Sequence, residues 1–506
     1  MTAAPHDGCR VTSTGVTATR PHRLSDAAFA ALGAGRPDAA TVAEVRRAQL
    51  SRHLLLLREI VTAAPTTAGP AYAALAAAER DDPDGVRRRL GRPLVGVWAA
   101  GCLNALRGGV PPEAAGVGYL ATLADRNPAE RHLGAAHGGL SISVRVEDRD
   151  PLRARLGLTP TEPLTPTEVA RWQDALDGAW RLLVDRVRPD AELLAAVLDC
   201  IVPVRPDPAA RGISATSADA FGAVAMSEPG DAAALAVGLL HETGHSLLNA
   251  VHYLFDLHTE PDALGYSPWR DDPRPASGLL HGAYAYLAVA RFWRAGAAEP
   301  LAAFEFARWR AAIVTAADDL LGRDGLTPAG ARFVTALRAE ALPWLDEPVV
   351  PEAARLAEGA NLDHYLRWRL RNRHVEPADA RALADAWRRG SPAPRLDSRL
   401  RPAPRRALEA SARLDLAHRL LRGERVDEAG VGAGDLAYLR GDGAAAVRAY
   451  RRELASDSSD DAAWAGLAMT AGRRALRAAP EIVAAAHRAL GDPALDPILL
   501  ADWLSP

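Results

Sequence analysis

Apolar positions along most of this chain recur at helical spacing. Leu54, Leu57 and Val61 fall at i, i+3 and i+7, on one face of a helix. The same spacing predicts helices over 40–64, 70–79, 92–107, 167–187, 191–199, 231–257, 279–295, 299–321 and 328–341. Strict period-two alternation is rare and is clearest in LSISVRV, 140–146. Short apolar runs at 201–204 and 220–226 read as two further strands. The fold class expected is mainly α with a small β element, the sheet lying beside the helix over 231–257.

Punctuation divides the chain. SPAPRLDSRLRPAP, 391–404, reads as a boundary or linker. Beyond it, 434–470 has the length and pattern of one tetratricopeptide-like (TPR-like) unit: a helix around 435–440, a second over 444–455, a polar turn, and a third from Asp461. One such unit cannot bury its own face, so it is expected to stack on 407–422 and 480–490. An ordinary helical bundle is the competing reading. The organisation expected is a tail over 1–20, a domain over 21–395 and a C-terminal helical region over 396–506.

Composition narrows the chemistry. A chain of 506 residues exceeds what one core usually supports. A net charge of -3 argues against a general binder of nucleic acid or membrane surfaces. No run of about 18 apolar residues occurs, and the N-terminal stretch lacks the apolar core of a signal peptide, so a cytoplasmic location is expected. Cys9, Cys102 and Cys200 are too scattered for a disulfide framework or a cysteine metal site. All 60 basic residues are Arg, which excludes Lys-dependent chemistry and leaves Arg or His to anchor any carboxylate.

The strongest chemical signal is HETGH. Asp231 is a good N-cap, and the helix that follows carries His241 and His245 one turn apart, so both imidazoles face one side. Two neutral imidazoles on a rigid helix suit Zn, Fe or Ni better than Mg or Ca. Leu248 and Val251 occupy the places where a metzincin needs Gly and His, so that class fails. Asp256, Glu260, Asp262, Asp271 and Asp272 lie at the helix end or in a loop, none as a glutamate on a following helix. His281, in the first turn of GLLHGAYAYLAVARFW, is the candidate third ligand. His258 is a rival, whereas His252 lies two turns beyond His245, too far to share an ion.

Between these helices, YSPWRDDPRP (266–275) reads as a proline-stiffened loop carrying Trp269, Arg270 and Arg274. A guanidinium there would take a carboxylate bidentately, from a cosubstrate or a peptide. The alternative is a surface network with Asp271 and Asp272. The Arg-rich run over 367–373 reads as a solvated helix face, or else a contact for an acidic leader peptide.

SATSADAFGAVAMS (214–227), LLHETGHSLLNAV, SPWRDDPRP and GLLHGAYAYLAVARFW together resemble the HExxH-motif proteins of peptide-modification gene clusters, described as α-ketoglutarate-dependent peptide β-hydroxylases. HRLSDAAFAALGAG and LSRHLLLLREIV resemble the opening of that family, and the likeness covers roughly residues 20–395. The resemblance implies Fe(II) held by His241, His245 and a downstream His, matched by His281, with Arg270 or Arg274 anchoring α-ketoglutarate. It implies oxygen activation and hydroxylation at the β-carbon of a residue in a ribosomally made precursor peptide, with a radical SAM maturase as a possible companion. No radical SAM cysteine cluster is present in the chain itself. The main rival is a zinc metallopeptidase in which Glu242 activates a bound water. A non-catalytic peptide-binding adaptor is the third reading.

Overall fold

In the computed structural model, residues 21–124, 130–208, 212–259, 263–401, 411–427 and 430–505 are described. The tail over 1–20 with Cys9, the acidic candidates Glu260 and Asp262, and 407–410 of the expected stacking partner lie outside them. Cys102 and Cys200 are buried as free thiols.

The described residues open with five helices: α1 (Asp26–Gly33), α2 (Ala39–Ala63), α3 (Pro65–Asp81), α4 (Pro83–Leu90) and α5 (Pro93–Arg107). Strands β1 (His132–His137) and β2 (Leu140–Val146) then form an antiparallel pair. The long α6 (Pro166–Val197) is capped by Thr165, whose side chain and that of Glu168 satisfy each other's backbone N–H groups. Sequence spacing predicted two helices here, and the structure joins them across a kink. Val187 leaves helical geometry just before Pro189, whose ring cannot fit a straight helix.

Strands β3 (Cys200–Pro203), β4 (Ser214–Ala215) and β5 (Ala223–Met226) complete a five-stranded mixed sheet in the order β1-β2-β3-β5-β4. β3 is paired on both sides and fully buried, which accounts for its uninterrupted apolar sequence. Next come α7 (Ala232–His252), a hairpin of β6 (Gly265–Ser267) and β7 (Arg270–Arg274), α8 (Ala276–Ala295), α9 (Pro300–Gly322) and α10 (Pro328–Ala341). α6 to α10 and one face of the sheet share the largest core, around Trp172, Trp180, Phe292, Phe306 and Phe333.

Beyond α10 lie α11 (Pro351–Asn372), β8 (Arg373–His374), α12 (Pro377–Arg388), β9 (Arg399–Leu400) and α13 (Ala412–Leu421). Then follow α14 (Ala433–Leu439), α15 (Gly443–Ser456), α16 (Asp461–Thr470), α17 (Arg474–Ala478), α18 (Pro480–Leu490) and α19 (Pro497–Trp503). The three helices read from 434–470 are present as α14 to α16. Much of their packing is on α11, an element the spacing did not predict: Leu366 of α11 and Leu383 of α12 join Tyr450, Trp464 and Val483 in one core. Arg369, Arg371 and Arg373 are not a solvated face. They bond Glu481, Asp271 and Ser398 respectively. Among the described residues no helix is long and apolar enough to cross a membrane.

Candidate metal centre

Asp231 caps α7 by accepting from the Ala234 N–H at 2.7 Å, and Leu235, Leu239, Leu240, Leu247, Leu248 and Val251 bury the far face of the helix. The helix ends at His252, short of the predicted 257, where the N–H groups of Leu254 and Phe255 both turn back to the Val251 carbonyl. The other face carries the two histidines, which are half-buried. Their Nε2 atoms stand 3.0 Å apart. Two nitrogens bound to one ion at about 2.1 Å and at right angles would be separated by about 3.0 Å, so the pair is already at ion-sharing distance. Burial pushes His241 down to about 4, and burial with the neighbouring His241 charge holds His245 well below the usual imidazole range. Both rings are therefore neutral at pH 7, which is the ligating form.

His281 reaches the same place from α8, but it addresses the other edge of His245. Its Nδ1 is 3.3 Å from His245 Nδ1, while His245 Nε2 faces His241. His252 stacks on His281 with ring centroids 5.5 Å apart, and His258 follows at 5.0 Å from His252, so neither reaches the His241–His245 pair directly. Among the described residues no group of three His, Cys, Asp or Glu side chains is arranged to hold an ion. The chain thus supplies a convergent pair of nitrogens, with His281 placed beside it.

Glycines decide how closely these parts approach. A Cβ on Gly244 would lie 2.8 Å from the Ala285 Cα, so Gly244 lets α7 and α8 meet backbone to backbone and brings His281 up to His245. Gly282 plays the same part for Trp269, whose Nε1 would lie 1.7 Å from a Cβ there. Trp269 in turn stacks on Tyr286, whose ring centroid is 5.0 Å from that of His241.

Glu242 points toward the sheet side of the cavity. Its Oε1 accepts from the Ser214 hydroxyl at 2.7 Å, and its buried Oε2 meets no donor. Burial pushes this carboxyl up to about 7, with the hydroxyls of Ser214 and Thr216 acting the other way. Two neutral imidazoles at this separation are donors that fit a divalent transition-metal ion, and the Glu242 carboxyl in the same lining can accept from a water bound to one.

The expected loop over 266–275 is instead the β6–β7 hairpin. Proline did not prevent it, because a two-stranded ribbon has open edges where a missing N–H costs no ladder bond. The alternation of β7 puts residues 270, 272 and 274 on one side. There Arg270 Nε and Arg274 Nη1 both donate to Asp272, at 2.8 and 3.2 Å. Burial opposes ionisation of Asp272, yet the two guanidiniums outweigh it and hold the carboxyl below its ordinary value. Two cations sharing one anion leave a net positive charge. Asp271, on the opposite side, pairs with Arg371 at 3.0 Å.

His241, Glu242, His245, His281, Arg270 and Arg274 all line one cavity of about 590 Å³. Sequence reasoning assigned no role to Ser214, Thr216 or Tyr286, which line it too. The only available signal for Ser214 was its place in the SATSADAFG stretch next to a strand. No protein-family model and no curated protein matches the chain.

Proposed function

We propose that this protein is an Fe(II)- and α-ketoglutarate-dependent oxygenase that hydroxylates the β-carbon of a residue in a ribosomally made peptide. The observation that carries the reading is the lining of a single cavity: a His pair at ion-sharing distance, together with Arg270 and Arg274, two guanidiniums that share the one carboxylate of Asp272. When bound, iron and α-ketoglutarate together supply the oxidant: O2 places one atom in a C–H bond and the other in succinate, with release of CO2. His241 and His245 hold the ion, and His281 packs against the second nitrogen of His245. Arg274, the less exposed of the two arginines, receives the far carboxylate of the ketoacid, with Arg270 beside it. Trp269 and Tyr286 wall the site and limit the water that reaches it. The C-terminal helices, TPR-like in length, are the candidate surface for a protein partner such as a maturase.

One observation favours a zinc peptidase as the second reading: Glu242 titrates near neutrality and keeps one oxygen free, as a general base for a bound water requires. The decisive experiment is anaerobic loading with Fe(II) and α-ketoglutarate, followed by admission of O2. The oxygenase reading expects a visible charge-transfer band before oxygen and succinate after it, with Glu242→Gln retaining metal and part of the turnover. Absence of both signals, together with zinc-dependent peptide cleavage that Glu242→Gln abolishes, establishes the peptidase instead.

A further inference from the structure

Behind Trp269 and Tyr286 lies a second cavity, of about 520 Å³, that shares these two side chains and Gly212 with the metal cavity. Its walls come from α7, α8, α9, α11, α13 and the β6–β7 hairpin, and Trp309 lies 4.1 Å from Tyr286, centroid to centroid. Burying a charge in such a place is costly unless it is paired. The acidic residues there are largely committed. Glu305 pairs with His418 at 2.7 Å, Asp363 is held by Arg413 and by Ser411 at 3.1 Å, and Asp271 pairs with Arg371. Asp415, the remaining acidic residue in the lining, is not without a partner.

The basic side chains are different. Arg308 is only 7% exposed, and its Nε is buried with no acceptor. Among the described residues its guanidinium makes no ion pair or hydrogen bond; it lies 4.2 Å from the centre of the Trp309 ring. Arg367, one turn from Asp363 on α11, lines the cavity as well. His364 accepts from or donates to Tyr266 through Nδ1, while its buried Nε2 has no hydrogen-bond partner and stands 3.7 Å from Asp271. Arg308 and His364 therefore each bring a buried nitrogen with no hydrogen-bond partner to one aromatic-walled chamber, with the Arg367 guanidinium in the same lining.

We infer that this chamber is an anion-accepting subsite, which takes a carboxylate of the peptide while an adjacent apolar group stacks on Trp309. The word peptide rests on the oxygenase reading; the anion site does not. A carboxylate there would give a buried guanidinium that now makes no hydrogen bond a bidentate partner, the geometry for which Arg is suited. Because Trp269 and Tyr286 belong to both cavities, a residue held in the chamber has its neighbour directed toward the metal centre.

The test is titration calorimetry on the iron-loaded full chain with three probes. N-acetyl-Phe-Asp-amide carries a side-chain carboxylate, N-acetyl-Phe a terminal one, and N-acetyl-Phe-Asn-amide neither. One or both acids should bind about 30-fold or more tightly than the neutral probe, and which acid wins identifies the source of the anion. The preference should vanish in Arg308→Gln, weaken in Arg308→Lys and survive in Arg274→Ala. A second measurement guards against misfolding: Glu305 keeps its ion pair with His418, so replacing a buried guanidinium that makes no hydrogen bond should cost little, and Arg308→Leu should melt close to the parent. No acid preference in the parent, a preference kept by Arg308→Gln, or a marked loss of stability in Arg308→Leu each overturns the inference. The charge-transfer band recorded on the same samples after anaerobic addition of α-ketoglutarate separates the two ideas: an Arg308-dependent preference without the band would sink the oxygenase reading and leave the subsite standing.

Discussion

The Gly in HETGH carries the closest backbone approach beside the candidate centre, and Gly244→Ala tests it. The added methyl would sit 2.8 Å from the Ala285 Cα, against an ordinary carbon contact of about 3.5–4.0 Å, so α7 and α8 must separate by about 0.7–1.2 Å. Overpacking of this kind costs about 1–3 kcal/mol, but Ala in a helix interior returns about 1 kcal/mol over Gly. The net alone is therefore a poor readout. Gly238, on the same helix, supplies the control: a Cβ there meets only the Met226 Cε, at 3.1 Å, the mobile end of a flexible side chain. Gly238→Ala should be neutral or stabilising, whereas Gly244→Ala should be less stable than Gly238→Ala by about 1–3 kcal/mol, a difference of roughly 1–3 °C in melting temperature for a chain of 506 residues. Denaturation of both variants, followed by circular dichroism, measures this directly. The His241–His245 separation lies within one helix, so metal stoichiometry should persist in Gly244→Ala while the 3.3 Å approach of His281 opens. Equal stability of the two variants would refute the idea that Gly244 sets the spacing of α7 and α8.

Three further outcomes are expected. Either His241→Ala or His245→Ala should abolish stoichiometric metal binding, since each leaves one nitrogen of the convergent pair; full occupancy by elemental analysis in both would remove the centre from this helix. Arg274→Ala should raise the apparent KM for α-ketoglutarate about 30- to 150-fold, the loss of a charge-assisted pair worth about 2–3 kcal/mol, with iron content near normal; unchanged kinetics in it and in Arg270→Ala would leave the hairpin without that role. The metal-free protein should lose stability on acidification from pH 6.5 toward 3. His364 is held down to about 3, chiefly by burial and then by Arg308, Arg367 and Arg371, while the unfolded chain takes up its proton near 6.5. Across that window the unfolded state binds more protons, so stability rises with pH. Unfolding at pH 4, 5, 6 and 7 should show a shallower slope in His364→Gln than in the parent, and an identical slope would contradict the assignment.

Features written into a local stretch were legible in the sequence. The cap at Asp231, the apolar flanks and the one-turn spacing of His241 and His245 all belong to a single helix, so no tertiary knowledge was needed to place them on one face. LSISVRV likewise became β2 with its bounds unchanged. The hairpin was missed because Pro273 and Pro275 argue against a strand unless the strand has a free edge, and freedom of an edge is not a local property. α11 was missed for a related reason. Its buried face includes Asp363 and Asn372 as well as Leu356 and Leu366, so the apolar period is broken by polar groups whose partners lie far along the chain. The aromatic chamber was invisible for the same cause: Trp269, Arg308, His364 and His418 come from four elements that only packing brings together.

The placement of α13 and α18 against α9 and α11 has a consequence for modularity. Glu305 and Asp363 find their partners in His418 and Arg413, and Arg369 finds Glu481, all contributed from beyond the proline-rich stretch. Cutting the chain there would strand two buried carboxylates and a half-buried guanidinium, and an uncompensated buried charge costs several kcal/mol. The C-terminal helices are thus a counter-charge for the first 395 residues and not an appendage. A family of such proteins could not shuffle its two halves freely: any exchange of the C-terminal part would have to carry His418, Arg413 and Glu481, or change Glu305, Asp363 and Arg369 in step.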